Sequence, residues 1–380
     1  MNNFTFQNPT KLVFGKGQIE LLPELIPNNV NLMITYGGGS VKRNGIYNQV
    51  TKALKGIDYI EFWGIEPNPS VETLRKAINK GKENNINFLL SVGGGSVLDG
   101  TKLIAAGIAS EKDAWDIVLN GVAEKQIPYA SVMTLPATGS EMNSGAVITR
   151  QDTQEKYSFG GEYPQFSILD PESTYSLPKH QIACGLADAY THVLEQYLTT
   201  TGQSRIMDRW AEGLLLNIIE IAPKIRSNSK DYDLMADFML SATLALNDFI
   251  RMGVTQDWAT HMIGHELTAI HGITHGHTLA IVMPGTLRVL KEQKHDKLLQ
   301  YGERIFNITE GSENDRVDRA IEKTEEFYRS LGLTTRLTEE EIGKETIDLI
   351  VDRFNNRGVA YGERRNVTGA VAGEILMSSI

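Results

Sequence analysis

The histidines of this 380-residue chain are concentrated in one stretch, with five of the eight lying between residues 261 and 277. They are His261, His265, His271, His275 and His277. Neutral imidazole is the commonest protein ligand for metal ions, and it also carries protons near neutral pH. The density of the stretch therefore indicates metal or proton chemistry. A histidine-rich helix and turn without a ligand is the alternative that spacing alone leaves open.

Asp188 and His192 form a second candidate pair, with the i, i+4 spacing that places two side chains on one face of a helix. His261 and His265 repeat this spacing. One carboxylate and up to three imidazoles suit Zn²⁺, Fe²⁺ or a similar divalent ion, with a position open for substrate. A simple salt bridge on the helix remains the alternative for Asp188 and His192.

His275 can join such a site only if the chain reverses direction. It lies fourteen residues beyond His261, which is ~21 Å of rise on one continuous helix at ~1.5 Å per residue. A shared ion therefore requires a turn between the two histidines, and Gly272 and Gly276 make that turn plausible.

Glycine-rich loops follow three apolar runs that are predicted to be strands. Gly93–Ser96 follows Phe88–Val92, Gly37–Ser40 follows Asn31–Tyr36, and residues 138–140 (Thr-Gly-Ser) follow the run that begins at Tyr129. Glycines let a ligand approach the backbone, and N–H groups at a helix start favour phosphate. Because the carboxyl ends of parallel strands share one sheet edge, the loops indicate an extended phosphate-bearing ligand such as a dinucleotide. Tight turns without a ligand are the alternative.

The loop after Tyr36 bears on which dinucleotide binds. Sites for NAD commonly carry a carboxylate after this strand to hold the ribose 2′-hydroxyl, and that carboxylate would repel a 2′-phosphate. Here three glycines and Ser40 are followed by Val41, Lys42 and Arg43, with no acidic residue. The loop therefore suits NADP, unless Lys42 and Arg43 are ordinary solvated residues at a helix start.

The N-terminal half of the chain alternates between strand-like and helix-like segments. Tyr59–Trp63 is a further strand, and Val71–Asn84 has helical spacing. This alternation predicts an α/β domain with an open, mostly parallel sheet. Thr5–Phe14 is expected to be an added extended segment, with an edge hairpin as one possible form.

Helical periodicity replaces strand signals after Pro178. We therefore predict an α/β dinucleotide-binding domain over 1–178 and an all-helical, metal-binding domain over 179–380, with the metal site in the interdomain cleft. The candidate helices are Ala183–Leu198, Met207–Ile225, Leu234–Phe249, Thr260–Ala269, Leu279–Leu290, Arg316–Leu331 and Thr346–Phe354.

Composition excludes several classes of function. A formal charge of -10 argues against a mainly electrostatic nucleic-acid binder. No stretch approaches the ~18 uninterrupted apolar residues that span a membrane. Cys184 is the one cysteine, so an intrachain disulfide is impossible, which fits a reducing compartment. We expect a cytoplasmic protein that binds neither nucleic acid nor membranes.

Four motifs in this order carry a resemblance that covers essentially the whole chain. The chain resembles the iron-containing (group III) alcohol dehydrogenases, in particular their NADPH-dependent butanol dehydrogenase and aldehyde reductase branch. The motifs are Gly93-Gly-Gly-Ser-Val-Leu-Asp-Gly-Thr-Lys102, Thr134-Leu-Pro-Ala-Thr-Gly-Ser-Glu-Met-Asn143, Asp188-x-x-x-His192, and His261-x-x-x-His265 with Gly272-x-x-His275-Gly276.

The resemblance implies a dehydroquinate synthase-like architecture and assigns roles within it. The metal ligands would be Asp188, His192, His261 and His275. His265 would face the nicotinamide and substrate, which makes it the candidate for catalytic proton transfer. His271 and His277 match no ligand position. The metal would be Fe²⁺ or Zn²⁺, with Ni²⁺ and Co²⁺ also acceptable to such ligands, and the protein would be a homodimer.

The resemblance also implies the residues that bind NADP(H). Gly38 and Ser40 stand where NAD-preferring relatives carry an Asp, which agrees with the charge argument above. The full set is Gly38, Ser40, Gly94, Gly95, Ser96, Asp99, Thr138, Ser140 and Lys156.

The expected activity is reversible hydride transfer between NADP(H) and a short-chain alcohol/aldehyde pair such as butanol and butanal. An NAD-dependent polyol dehydrogenase is an alternative, disfavoured by the missing Asp at position 38. A dehydroquinate synthase-like lyase is a second, disfavoured because no Lys/Arg cluster accompanies Asp188 or His261. A non-catalytic NADP-binding protein would leave the ligand set without a purpose.

Overall fold

The computed structural model describes residues 1–200 and 204–380, and the chain forms two compact units. The first, here the sheet unit, consists of Gln7–Leu177 and Ser229–Thr243. The second, here the helical unit, consists of Met1–Phe6, Pro178–Asn228 and Leu244–Ile380. The domain boundary after residue 178 stays a prediction. The two compact units differ from it in two short segments, because Met1–Phe6 belongs to the helical unit and Ser229–Thr243 to the sheet unit.

The sheet unit is built on six parallel strands in the order β1-β8-β5-β4-β2-β3. The predicted open parallel sheet is therefore confirmed. β6 and β7 form a separate antiparallel pair. The strands are β1 (Lys11–Phe14), β2 (Leu32–Tyr36), β3 (Tyr59–Phe62), β4 (Phe88–Gly94), β5 (Tyr129–Leu135), β6 (Ala146–Arg150), β7 (Glu155–Phe159) and β8 (Phe166–Leu169).

Two details of the sheet differ from expectation. The suggested hairpin over Thr5–Phe14 is wrong, because only Lys11–Phe14 is a strand and it pairs in parallel with β8 at the sheet edge. No hairpin partner is available, since Met1–Phe6 belongs to the helical unit. The β6–β7 hairpin was not predicted. Its turn includes Gln154 with φ 52°, a conformation that the sequence does not signal at a glutamine.

Apolar side chains alternate between the two faces of the sheet, as successive residues of a strand must. On β4, Leu89 packs in a core with Leu74 and Leu103, whereas Leu90 packs in a second core with Val50. Helices therefore cover both faces, and the loops after β2, β4 and β5 remain at the carboxyl edge. The helices of this part of the chain are α1 (Leu22–Leu25), α2 (Ser40–Arg43), α3 (Ile46–Ala53), α4 (Val71–Glu83), α5 (Gly95–Ile108) and α6 (Ala114–Leu119).

The rest of the described chain is helical, which confirms the predicted helical second half. Each of the seven predicted helices overlaps an observed one, and α12 and α15 were not predicted. Leu234–Phe249 ends earlier than expected, because Asp248 has φ 72° and cannot continue a helix. The helices are α7 (Lys179–Tyr197), α8 (Arg205–Ser227), α9 (Tyr232–Ala245), α10 (Ala259–His271), α11 (His275–Val289), α12 (Lys291–Phe306), α13 (Glu313–Ser330), α14 (Lys344–Arg357) and α15 (Gly369–Met377).

No helix within residues 1–200 and 204–380 combines the length and the hydropathy needed to cross a bilayer.

Candidate metal centre

Helix α7 places a charged residue in the interior of the helical unit. Every residue from Ile182 to Tyr197 is buried, so no face of the helix is left to solvent. Asp188 lies at its middle and is 3% exposed. A buried carboxylate is costly unless it is paired or binds a cation, and the groups around Asp188 therefore decide its role.

The packing of α10 determines where its histidines point. Ala259, Ile263 and Leu267 share one helical face and enter an apolar core. His261 lies two residues after Ala259, and His265 lies two residues after Ile263. Two residues correspond to about half a turn of a helix, so both histidines lie on the face opposite to the apolar core. Both histidines are 5% exposed.

Three imidazoles converge on one oxygen of Asp188. The distance from Asp188 Oδ1 is 3.5 Å to His192 Nε2, 3.7 Å to His261 Nε2 and 3.9 Å to His275 Nε2. Ligand atoms placed tetrahedrally at ~2.1 Å from an ion lie about 3.4 Å apart. The ligand atoms of Asp188, His261 and His275 also lie within 4.8 Å of one another. The spacing therefore suits a shared ion after small adjustments.

The turn that His275 requires is present between α10 and α11. Gly272, directly after α10, has φ 71°, the left-handed conformation that ends helices. Helix α11 then starts at His275. At Gly276 a Cβ atom would overlap the carbonyl group of Cys184 on α7. The glycine thus allows the first turn of α11 to lie directly against α7, one helical turn before Asp188.

The electrostatics of the site favour a cation. Burial lowers the pKa of His261, but the Glu195 and Asp188 carboxylates more than offset that effect and raise the pKa to about 9. Burial lowers the pKa of His192 to about 4, against the opposing effect of Asp188. His192 is therefore neutral at neutral pH, the form of imidazole that can bind a metal ion. Nε2 of His261 is buried and makes no hydrogen bond within the described residues, so the donor set fits a divalent ion.

The other histidines of the stretch have different neighbours. The ring centroid of His265 lies 4.8 Å from that of His275 and 6.4 Å from that of His261. His271 instead contacts Thr346 Oγ1 at 3.0 Å through Nε2, and His277 contacts Thr334 Oγ1 at 2.5 Å. The last two have protein partners away from the four candidate ligands.

Two further residues lie at the site, of which Glu195 was not singled out from the sequence. Glu195 contacts Nδ1 of His261 and accepts the backbone N–H of Thr260 at 2.7 Å. Its spacing of i+3 from His192 could have revealed it, because that spacing shares a helical face. Trp258 lies 5.3 Å from His261 between ring centroids.

The candidate dinucleotide residues lie in the sheet unit, where three loops meet at the start of α5. A Cβ at Gly95 would overlap Thr138, so the loops after β4 and β5 are in contact. A Cβ at Gly37 would lie 3.3 Å from Val97 Cγ2, which brings the loop after β2 to the same helix start. Helix α5 has no side-chain cap, leaving its first N–H groups suited to a phosphate.

Asp99 and Ser140 join the loop after β5 to α5. Ser140 Oγ donates to Asp99 Oδ1 at 2.7 Å and accepts from Lys102 Nζ at 2.8 Å. The second Asp99 oxygen accepts the Val147 N–H at 2.9 Å. Burial raises the pKa of Asp99, opposed by the Lys102 ammonium group. These contacts fix the loop after β5 against α5.

The remaining candidate cofactor residues lie on β7 and in the loop after β2. Lys156 is on β7, with Nζ 3.0 Å from Asn68 Oδ1. A Cβ built on Gly38 would have no atom within 4 Å, and Ser40 begins α2. The Lys42 ammonium group lies 4.0 Å from the centroid of Trp63, a cation–π contact on an aromatic ring.

Comparisons with known proteins agree along the whole chain. The family model "Iron-containing alcohol dehydrogenase" matches residues 9–171, and the model of the C-terminal domain of the Fe-containing alcohol dehydrogenase family matches residues 182–378. The NADPH-dependent aldehyde reductase YqhD of Escherichia coli is 48% identical over 97% of each chain. A probable NADH-dependent butanol dehydrogenase of Bacillus subtilis is 42% identical over 100% of each chain.

A solved structure is also closely similar. The crystal structure of YqhD from Escherichia coli K-12 superposes with a TM-score of 0.98 at 47% identity, covering 100% of this chain and 99% of that one.

Proposed function

The chain belongs to the iron-containing alcohol dehydrogenase family, and we propose that it transfers a hydride between NADP(H) and short-chain alcohols or aldehydes such as butanol and butanal. It is an oxidoreductase, a metal-dependent alcohol dehydrogenase and aldehyde reductase. The observation that carries the proposal is the convergence of His192, His261 and His275 on Asp188 within 4 Å.

The proposed chemistry divides between the bound groups and the chain. When bound, a divalent ion would polarise the substrate oxygen and the nicotinamide would carry the hydride. Asp188, His192, His261 and His275 would hold the ion, and the apolar burial of the site would exclude water from it. His265, buried beside His275, is the proposed group that holds or moves the proton of the alcohol oxygen.

NADP(H) is the proposed dinucleotide, although relatives differ in this respect. The reductase of E. coli carries NADPH in its name, whereas the B. subtilis dehydrogenase carries NADH. Support for NADP(H) comes from residues 37–43, which contain two basic side chains and no acidic one. Gly38, Ser40, Gly94, Gly95, Ser96, Thr138 and Lys156 are proposed to contact the cofactor, with Asp99 and Ser140 positioning the loops.

Several finer features belong to the same proposal. The metal is proposed to be Fe²⁺ or Zn²⁺, because one carboxylate and three imidazoles accept either ion. A homodimer is proposed from the resemblance alone. A reducing, cytoplasmic location is proposed because Cys184 is the single cysteine.

A direct assay tests the proposal. Protein stripped of metal and reloaded with Zn²⁺ or Fe²⁺ is mixed with NADPH and butanal, and the nicotinamide absorbance is followed. We expect oxidation of NADPH by the reloaded protein and none by the stripped protein or by His261→Ala. Absence of turnover with any short aldehyde after reloading would contradict the proposed activity, and full turnover by a metal-free His261→Ala protein would contradict the role of the ion.

A further inference from the structure

Glu195 makes three contacts with the segment that begins α10. Its backbone carbonyl accepts the Asp257 N–H at 2.9 Å. Its Oε1 accepts the Thr260 N–H at 2.7 Å, and its Oε2 contacts His261 Nδ1. One residue of α7 therefore holds both the entry to α10 and a ring of the candidate metal centre.

The segment held in this way is conformationally unusual. Trp258 precedes α10 with φ 67°, in the left-handed region that a bulky side chain rarely adopts. Its side chain does not cap the helix. The first N–H groups of a helix lack partners within the helix, and Glu195 supplies one for Thr260. These contacts favour the backbone conformation that presents His261 to Asp188.

Glu195 also determines which ring nitrogen of His261 faces Asp188. Glu195 is 3% exposed, so its carboxylate needs donors from the protein. A hydrogen on Nδ1 satisfies Oε2, so Nε2, which lies 3.7 Å from Asp188 Oδ1, is the nitrogen that would bind an ion. An anionic acceptor behind a histidine also increases the basicity of the nitrogen that binds a metal.

We propose that Glu195 is a positioning residue, which fixes the tautomer and orientation of His261 and thereby raises the affinity of the site for a divalent ion. The inference rests on the proposed function, because it requires an ion at Asp188. Glu195 itself touches neither the substrate nor the ion.

A purely structural role is the competing explanation, and metal affinity separates the two. As a helix cap alone, Glu195 would change the stability of the metal-free protein and leave the affinity for metal unaltered. As a positioning residue, it must change the dissociation constant of the ion in a protein that is still folded.

The test uses Glu195→Gln, which keeps the shape of the side chain and removes its charge. Glu212→Gln is the matched control, because Glu212 is similarly buried (4% exposed) and accepts the Tyr197 hydroxyl of α7 at 2.9 Å without touching His261. The dissociation constant of Zn²⁺ is measured on the stripped full-length chain by competition with a chromophoric chelator. The visible spectrum of the Co²⁺ form reports the geometry around the ion.

We expect Glu195→Gln to raise the Zn²⁺ dissociation constant about 10- to 100-fold and to alter the Co²⁺ spectrum, with both unchanged in Glu212→Gln. A dissociation constant equal to that of the wild type in folded Glu195→Gln would overturn the inference, as would equal weakening by Glu212→Gln. If Glu195→Gln does not fold, Glu195→Asp replaces it, since its shorter side chain cannot make the same contacts, and the same criterion applies.

The outcome for the wild-type protein distinguishes this inference from the proposed function. A wild type that binds neither Zn²⁺ nor Co²⁺ contradicts the proposed function. If the wild type and Glu195→Gln bind these ions with equal affinity, only the role of Glu195 is contradicted.

Discussion

Two buried carboxylates, Asp188 and Glu195, face opposite nitrogens of His261. Against the lowering effect of burial, these carboxylates raise the pKa of His261 to about 9, and a divalent ion would take the place of a proton on Nε2. Asp188 and the histidines could be selected from the sequence because they occur at helical spacing within recognisable motifs. Glu195 received no role from the sequence, because a glutamate on a helix is ordinarily a solvated residue and its burial is set by packing.

At residue 38, a single carboxylate should change the preference between the two dinucleotides. Gly38 has no positive φ and no atom within 4 Å of a built Cβ, so a side chain fits without strain. In Gly38→Asp we expect the kcat/KM ratio of NADPH over NADH to fall about 10-fold or more, because a carboxylate repels a 2′-phosphate and can hold a 2′-hydroxyl.

Gly38→Asn controls for size without charge. Steady-state kinetics with both dinucleotides are measured on the three proteins. A fall of the same size in Gly38→Asn would mean that bulk, and not charge, sets the preference, and an unchanged ratio in Gly38→Asp would argue against a 2′-phosphate near this loop.

At the scale of elements, the centre depends on how closely α7, α10 and α11 pack. The sequence indicated that the chain must turn between His261 and His275, and it identified the glycines. It could not show that Gly276 lies against the Cys184 carbonyl, because contact between helices distant in sequence depends on the packed unit. The left-handed Trp258 was equally hidden, since tryptophan carries no preference for that conformation.

Gly276→Ala should separate α11 from α7 and displace His275. We expect the Zn²⁺ dissociation constant to rise at least about 10-fold and the melting temperature to fall, because the methyl group would overlap a backbone carbonyl that cannot rotate away.

Gly213→Ala on α8 is the control, because a Cβ at this helical glycine would have no atom within 4 Å. It should leave metal affinity unchanged and stabilise the protein by about 0.5–1 kcal/mol. If Gly276→Ala binds Zn²⁺ with the affinity of the wild type, α11 tolerates the added methyl group without loss of the metal site.

A second element-level prediction concerns Lys102 on α5. This fully buried ammonium group binds oxygens of Ser140, Asn143 and Gly145, and it faces Asp99. Lys102→Met leaves these oxygens and the Asp99 charge without their cation, which should cost about 3–5 kcal/mol and weaken NADPH binding by loosening the loop after β5.

Denaturant unfolding and NADPH titration check this expectation. Lys112→Met removes an exposed lysine of the same unit that pairs with Glu124, and it should change stability by at most about 0.5 kcal/mol. A Lys102→Met protein as stable as Lys112→Met would contradict the structural role of the buried ammonium group.

At the scale of the molecule, all four proposed metal ligands belong to the helical unit. An ion that binds the folded state stabilises it by about 2.7 kcal/mol at a free concentration 100 times its dissociation constant. Removing the metal should therefore increase hydrogen exchange in α10 and α11, while β2, β4 and β5 keep their protection.

Hydrogen exchange measured with and without a chelator tests this, and readdition of Zn²⁺ is the control for reversibility. Unchanged protection of α10 and α11 after complete metal removal would mean that the helical unit is organised without an ion.

Much of the order of strands and helices could be predicted, because Phe88–Val92 is an apolar run bounded by glycines and Ala183–Leu198 has helical periodicity. The compact unit to which two short segments belong could not be predicted from the sequence. Met1–Phe6 and Ser229–Thr243 each lie in the compact unit opposite to the one that their sequence neighbours suggest. Their placement depends on which apolar surface each covers after collapse, which is a non-local property.

Met239 of α9 lies in the same apolar core as Leu89 and Leu103, and Thr243 donates to the buried Glu141. The ribosome therefore releases every strand of the sheet well before the helix that completes its interior. A nascent chain ending near residue 177 would expose the apolar surface that Met239 covers. Such a surface invites chaperone binding or aggregation, so the growing chain must stay protected until about 66 further residues have emerged.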